Sequence, residues 1–419
     1  MEGVELDIVI VGGGIAGLTT SLGLHRLGIR SLVLESSDTM RNTGFPITAY
    51  TNAWKALDAV GIGDSIRQHH QRLQGSVITS TITGLQTSKA TFAKIKGKHG
   101  GHEIRCVQRQ LLLETLAKEL PSGTIRYSSK VVSIEESGFY KLVHLADGTI
   151  LKTKVLIGCD GVNSVVAKWL QFKKPAFTRR SAIRGCVDFK SGHSFGDRFM
   201  LFFGKGFRSG FLPCDGNTVY WFLSWTHSSQ ENADKEREMG DDPAKMKQFV
   251  LHKLGKIPDE VRAVIENNDL DRIILSPLRY RHPWELVWGN ISKGNVCVAG
   301  DAFHPMTPEI GQGGCAALED GVVLARCLGE ALLKEPSGAT KERADQIERE
   351  EYKQIEAGLK KYADERKWRS IQLITTAYMV GYIQQGYGLF VDFLRDKILA
   401  SYVPRMVMKM ADFDCGKLN

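Results

Sequence analysis

The residues whose types and spacing can do chemistry begin with Gly12-Gly13-Gly14-Ile15-Ala16-Gly17, a G-x-G-x-x-G run, and with Glu35, 18 residues beyond Gly17. Gly12 permits a tight turn, Gly14 lets main chain approach a pyrophosphate, and Gly17 lets a helix pack close on a strand. A helix that starts in this run presents unpaired N–H groups and the positive end of its dipole to phosphate. A carboxylate at the distance of Glu35 suits a ribose hydroxyl. A lone run of this kind is weak, because glycines also serve ordinary turns. Here the flanking pattern supports it. Residues 7–11 (Asp-Ile-Val-Ile-Val) read as a buried strand, residues 15–27 carry apolar side chains at helical spacing, and residues 31–34 form a second apolar run that ends at Glu35.

Two further groups decide between dinucleotides. Ile157-Gly158-Cys159-Asp160-Gly161-Val162-Asn163-Ser164 follows a buried run at 155–158. Residues 295–300 form another such run. It leads into Asp301-Ala302-Phe303-His304-Pro305-Met306-Thr307-Pro308 and then Gly311-Gln312-Gly313-Gly314-Cys315. Asp301, at a strand end, can accept a hydrogen bond from a ribityl hydroxyl. Pro308 stiffens the loop. Gly311 to Gly314 opens a helix whose N-terminus can face an isoalloxazine carbonyl and stabilise negative charge there. His304 invites a base assignment, and a residue packed near the flavin is the plainer reading.

The elements that must position these groups follow from periodicity. The opening strand, helix and strand form one right-handed β-α-β unit. Residues 51–60 and 109–119 read as helices, 124–134 and 142–145 as strands, and Asp147-Gly148 as a hairpin turn. From about residue 180 to 290 the chain is rich in β-branched and aromatic residues. There 198–203 and 218–225 read as strands of an antiparallel sheet, and 241–256 and 259–267 as helices. A long apolar helix at 316–333, a charged helical stretch at 341–369 and a helical tail at 371–410 complete the chain. These readings divide it into a discontinuous dinucleotide-binding domain (1–175 with 290–335), a β-rich substrate domain (176–289) and a C-terminal helical region (336–419).

With 419 residues, 42% hydrophobic and 24% charged, the chain is of ordinary globular composition and long enough for two domains. A net charge of +8 suits an anionic dinucleotide or carboxylate and does not argue for nucleic acid. The Lys94-Ile95-Lys96-Gly97-Lys98 cluster reads as a solvated loop. None of the eight cysteines shows C-x-x-C spacing, so buried thiols in a reducing compartment are expected, with no metal site and no disulfide framework. A strand starts almost at the N-terminus, leaving no room for a leader, and no run of about 18 apolar residues exists. The expectation is a cytoplasmic protein without a transmembrane segment. The nearest candidate, 371–391, is interrupted by Gln384, Gln385 and glycines. It reads as a packed helix or a surface that touches apolar ligand.

Taken together, the motifs at 12–17, Asp160-Gly161 and Gly300-Asp301 with Pro308 resemble the class A, single-component, flavin-dependent aromatic monooxygenases. The resemblance spans essentially the whole chain. Arg41-x-Thr43-Gly44-Phe45, Thr51-Asn52-Ala53-Trp54, Gly311 to Cys315 and Asp414-Cys415-Gly416 are similar to the plant salicylate-hydroxylase-like and zeaxanthin-epoxidase-like branch. The fold implied is α/β (α+β): a Rossmann-type, glutathione-reductase-like FAD-binding domain, an inserted antiparallel-sheet substrate domain and C-terminal helices. The resemblance assigns Gly12, Gly14, Ala16, Gly17 and Glu35 to the ADP half of FAD. It assigns Arg41 and Arg109 to basic positions near the pyrophosphate and ribityl chain, and Val132 to a backbone contact with adenine. Asp160 and Gly161 belong to the motif linked to both FAD and NAD(P)H. Asp301 falls to the ribityl chain, and Pro308, Gly311, Gly313 and Gly314 fall to the flavin ring. Two positions depart from the pattern: Ala167 stands where the family usually has Arg, and Cys315 where it often has Asn.

The reaction implied uses NADPH or NADH as co-substrate, with no separate nicotinamide domain visible. Reduced FAD adds O2 to form a C4a-hydroperoxide, which hydroxylates or epoxidises a small aromatic or unsaturated substrate. The flavin hydroperoxide is the reagent, so no catalytic side chain is expected. Phe45, Ile47, Arg184, Phe203, Phe211 and Trp221 are the candidates for the substrate pocket. Two alternatives share the fold: a non-oxygenating flavin oxidase or reductase, and a catalytically silent flavin-binding regulatory protein. The substrate's identity, the choice of nicotinamide and the oligomeric state are open at this stage.

Overall fold

A computed structural model describes residues 4–40, 44–97, 100–227, 239–333, 344–385 and 400–418. Its first layer is an eight-stranded sheet centred on Val4–Val11. This strand pairs in parallel with Leu32–Leu34 on one side and Ile150–Gly158 on the other, and Val296–Val298 pairs in parallel with the end of Ile150–Gly158. Its apolar run is buried on both faces, as a parallel strand covered by helices must be. Helices Ile15–Arg26 and Gly313–Leu332 supply one cover. They cross closely because their contact residues are small: a Cβ on Gly23 would sit 2.7 Å from that of Ala325, and one on Gly321 2.7 Å from Thr19.

The second layer is a seven-stranded sheet, in the order Ile274–Tyr280, Ala176–Asp188, Thr218–Thr226, Phe207–Pro213, Arg198–Gly204, Gly75–Ser80, Gln86–Thr91. All neighbours are antiparallel except Arg198–Gly204 with Gly75–Ser80. One face buries Phe202, Phe211, Trp221, Leu223 and Trp225 against the helices Pro243–Leu254 and Asp259–Glu266. The other face turns toward the first layer.

Three elements differ from their sequence reading. The β-rich sheet takes two strands from residues 75–91, outside the continuous range 176–289, because sheet pairing follows space rather than chain order. The strand expected at 124–134 is two strands, Ile125–Arg126 in the parallel sheet and Val131–Ser137 in an antiparallel hairpin. The break falls at Ser128, whose φ is 52°, where the chain turns from one partner to the next. The charged stretch and the first part of the tail form a single helix, Ala344–Gln384, followed by Ala400–Met410. Residues 386–391 of the 371–391 candidate lie outside the described residues. Among the described residues, no helix is long and apolar enough to cross a membrane, and no group of His, Cys, Asp and Glu is placed to hold a metal. All eight cysteines are free thiols.

Candidate active site

The glycine turn carries out three separate geometric tasks. Gly12 has φ +106°, and a Cβ there would lie 2.4 Å from the Cys159 carbonyl oxygen. A Cβ on Gly17 would lie 2.0 Å from the Gly12 carbonyl oxygen, so the helix rests directly on the turn. A Cβ on Gly14 would meet nothing within 4 Å. The turn is therefore closed on its inner side and open at Gly14, beside the N-terminus of Ile15–Arg26, whose unpaired N–H groups can receive an anion. Glu35 is buried and supports this turn: its carboxylate accepts the Gly13 N–H at 2.8 Å and the Ser37 N–H at 2.9 Å. Ala16 packs under the Gly300-Asp301 motif, its Cβ 2.8 Å from where a Gly300 Cβ would lie.

Asp160 closes the next turn. Its carboxylate accepts the Ser164 hydroxyl at 2.5 Å and the Val165 N–H at 2.6 Å, which starts the short helix Val165–Trp169. Burial raises its carboxyl above the usual range, against these donors. Gly161 has φ +75°, the left-handed conformation the turn needs. Ala167 is buried in the core, and Lys168 beside it is exposed.

The third motif is held from behind by a buried charged network. Asp320, on Gly313–Leu332, accepts the Gly300 N–H at 2.7 Å and lies 2.6 Å from His304 Nε2. Arg366, on Ala344–Gln384, pairs with Asp320 at 2.7 Å and with Glu319 at 2.7 Å, and Arg369 pairs with Glu319 at 2.8 Å. Asn52 donates to both Glu319 and Gln312. Burial alone would raise both carboxyls. For Glu319 the charges of Arg369 and Arg366, and for Asp320 those of His304 and Arg366, outweigh it and hold both below the usual range. His304 is fully buried in this network and does not line the cavity. Asp301, by contrast, is exposed, and its side chain bonds no other described residue.

Between the two layers lies a cavity of about 530 Å³, within the range of small-molecule sites. Asp301, Pro308, Gly311, Gly313, Gly314, Arg109 and Val162 line it from the first layer. Phe199, Leu201, Phe203, Tyr220, Phe222 and Arg184 line it from the second, and Phe45 and Ile47 flank it. A Cβ on Gly311, at φ +63°, would lie 3.1 Å from the Tyr50 ring, and one on Gly314 3.2 Å from Ile47. Arg184 lies over the Phe45 ring at 5.9 Å, and that ring is 5.9 Å from Tyr220. Burial pushes the Tyr220 phenol up to about 12, with Arg184 pulling the other way, so it stays a hydrogen-bond donor at neutral pH. Burial likewise pushes the Tyr50 phenol up.

The structure thus brings most of the expected residues together. Among those expected at the substrate pocket, Phe211 and Trp221 are the exceptions. Both are fully buried on the opposite face, and the Trp221 indole N–H donates to Asn268 at 2.7 Å. Side chains alternate across a strand, so Tyr220 and Phe222 face the cavity while Trp221 cannot. Every residue from 219 to 223 is apolar or aromatic, so the sequence carries no parity signal there. Val132 is 49% exposed beside a bulge in Val131–Ser137, with its side chain off the cavity wall. Arg41 lies outside the described residues. Sequence reasoning missed Tyr50, Arg208, Tyr220, Phe222 and the wall made by Val403, Pro404, Val407 and Met408.

Three comparisons bear on this site. The family model described as "FAD binding domain" matches residues 5–357. The chain is 58% identical to "Monooxygenase 2" of Arabidopsis thaliana over 413 residues, 98% of each protein. It is 36% identical to "Monooxygenase 1" of the same plant over 419 residues, 99% of this chain and 100% of that one. The fold matches Klebsiella pneumoniae HpxO, solved with FAD and uric acid, at a TM-score of 0.78 and 22% identity, covering 99% and 98% of the two chains.

Proposed function

Because the chain belongs to the FAD-binding-domain family of flavin-dependent monooxygenases, we propose that it uses NADPH or NADH and O2 to hydroxylate or epoxidise a small aromatic or unsaturated substrate. When bound, FAD supplies the redox chemistry, passing reducing equivalents from nicotinamide to O2 so that one oxygen atom reaches an electron-rich carbon. Gly12, Gly14, Gly17 and Glu35 would hold the ADP half, Arg109 and Asp301 the ribityl region, and Pro308 with Gly311 to Gly314 the ring. The open face at Gly14 and the unbonded Asp301 carboxylate both suit that cofactor.

The observation that carries the reading is the position of the cavity. It lies directly between the residues that would line the ring and the aromatic face of the second sheet. Phe199, Phe203 and Phe222 exclude water from that space and offer flat apolar surface to a ring. Arg184 makes no ion pair with another described residue, so its guanidinium is available for a carboxylate or phenolate on the substrate. The Tyr220 hydroxyl can donate to the same group. No side chain here needs to act as nucleophile or base.

The test is a screen of aromatic acids, phenols and terpenoids for stimulated NAD(P)H oxidation by the purified holoenzyme. Product mass is then compared under ¹⁶O2 and ¹⁸O2. One labelled oxygen in the product is expected. Stimulated oxidation without label in any product would leave a non-oxygenating oxidoreductase, and absence of stimulation by every class would overturn the reading.

A further inference from the structure

We propose that the outer edge formed by the hairpin of Gly75–Ser80 and Gln86–Thr91 and by the helix Ala400–Met410 docks on an anionic lipid surface. The first observation is charge. Residues 65–102 contain no Asp or Glu, and neither do residues 400–411. Lys89 and Lys94 from the first stretch and Arg405 and Lys409 from the second are all exposed. None of these four makes an ion pair with another described residue. An ordinary soluble surface intersperses both signs, and elsewhere this one does: Arg26, Arg126 and Arg326 each pair with a carboxylate.

The second observation is that the two elements are one surface. The strand Gln86–Thr91 packs against the helix Ala400–Met410. Their outward positions are apolar as well as basic: Ile82 and Leu85 at the hairpin tip are 48% and 67% exposed, and Tyr402 on the helix is 59% exposed. On the helix, Tyr402, Arg405 and Lys409 follow at spacings of three and four and share one stripe, while Val407 and Met408 turn inward. A basic stripe with an aromatic ring and apolar side chains beside it is the composition of a helix that lies in the headgroup region. Anionic headgroups supply the missing negative charge, and apolar tips gain by entering the acyl boundary. A partner protein would have to match four unpaired cations and three apolar side chains at once. The inner side of the same elements, through Ser76, Ile78, Val403 and Pro404, walls the cavity, so the bilayer would adjoin the substrate space.

The experiment is vesicle co-sedimentation of the flavin-loaded full chain, read by flavin absorbance and protein mass. Vesicles of phosphatidylcholine alone are compared with equal parts phosphatidylcholine and phosphatidylserine. Binding to the mixed vesicles only, and release by salt, are expected. Each cation removed should weaken partition roughly fivefold, so the set K89E, K94E, R405E and K409E should abolish it. Leu85→Ser alone should weaken it without touching charge. The milder pair K89Q and R405Q serves if the fourfold variant loses its flavin. Lys360→Glu, an exposed cation on the long helix, should bind as the parent does. No binding to the mixed vesicles, equal binding to phosphatidylcholine alone, binding that survives the substitutions, or a dimer that they disrupt would each overturn the proposal. Vesicle binding is read without turnover, so its failure says nothing about oxygenation, and failure of the substrate screen says nothing about docking.

Discussion

Single residues at this site separate stability from binding. A Cβ at Gly17 has a carbonyl oxygen at 2.0 Å, whereas one at Gly14 has open space. Gly17→Ala should therefore lower the melting temperature of the protein itself. Gly14→Ala should melt close to the parent yet lose FAD, because the methyl group fills the open face proposed for the pyrophosphate. Thermal melts alongside the flavin-to-protein absorbance ratio after gel filtration read both, and a yellow Gly14→Ala protein would refute the assignment. Glu35→Ala removes the acceptor for two backbone N–H groups and the acceptor proposed for a ribose hydroxyl, and should weaken FAD about tenfold or more. Arg184→Ala should leave FAD content unchanged and raise KM for an anionic substrate about tenfold or more, the weight of a lost charge-assisted hydrogen bond. An unchanged KM would remove Arg184 from the substrate site.

At the scale of elements, strand parity and the long helix make the distinguishing predictions. Tyr220 and Trp221 are neighbours in sequence on opposite faces of one strand. Trp221→Phe leaves the Asn268 carbonyl buried without its donor, which should cost about 1–3 kcal/mol in denaturant unfolding while KM stays constant. Tyr220→Phe should do the reverse, changing KM with little effect on stability. On the helix Ala344–Gln384, Arg366 and Arg369 pair with the two carboxylates that stand behind the third motif. Arg366→Leu takes one cationic partner from each of the buried Asp320 and Glu319, leaving them His304 and Arg369, and should cost about 3–5 kcal/mol. Its pH dependence follows from the sign of the shifts. Both carboxyls are held below their unfolded values, so their contribution is complete above the ordinary carboxyl range of about 4 and is lost as pH falls below it through the depressed folded values. Acid unfolding of the Arg366→Leu protein should therefore begin at higher pH than in the parent, which circular dichroism along a pH titration would show.

At the scale of the whole molecule, the site exists only when three distant motifs and two sheets are assembled. A ligand that bridges them must stabilise the assembled state. FAD at about a hundredfold excess over its dissociation constant should add roughly 2.7 kcal/mol to the flavin-stripped protein, seen as a concentration-dependent rise in melting temperature. A flat response would separate the glycine turn from the distant loops as a binding unit. By itself, the sequence determined the strand–glycine–helix unit, the two other strand-end motifs, the hairpin at Asp147-Gly148 and the fold class. These are local: each depends on backbone conformations that only certain residues adopt, or on a buried run that reads the same in any context. Only the tertiary structure decided the rest. It placed Phe211 and Trp221 in the second core and Tyr220 on the cavity, because a strand apolar on both faces has no parity of its own. It recruited residues 75–91 to the second sheet and Arg366 to the third motif, because pairing across long loops depends on what surface remains to be covered, not on the neighbours in the chain.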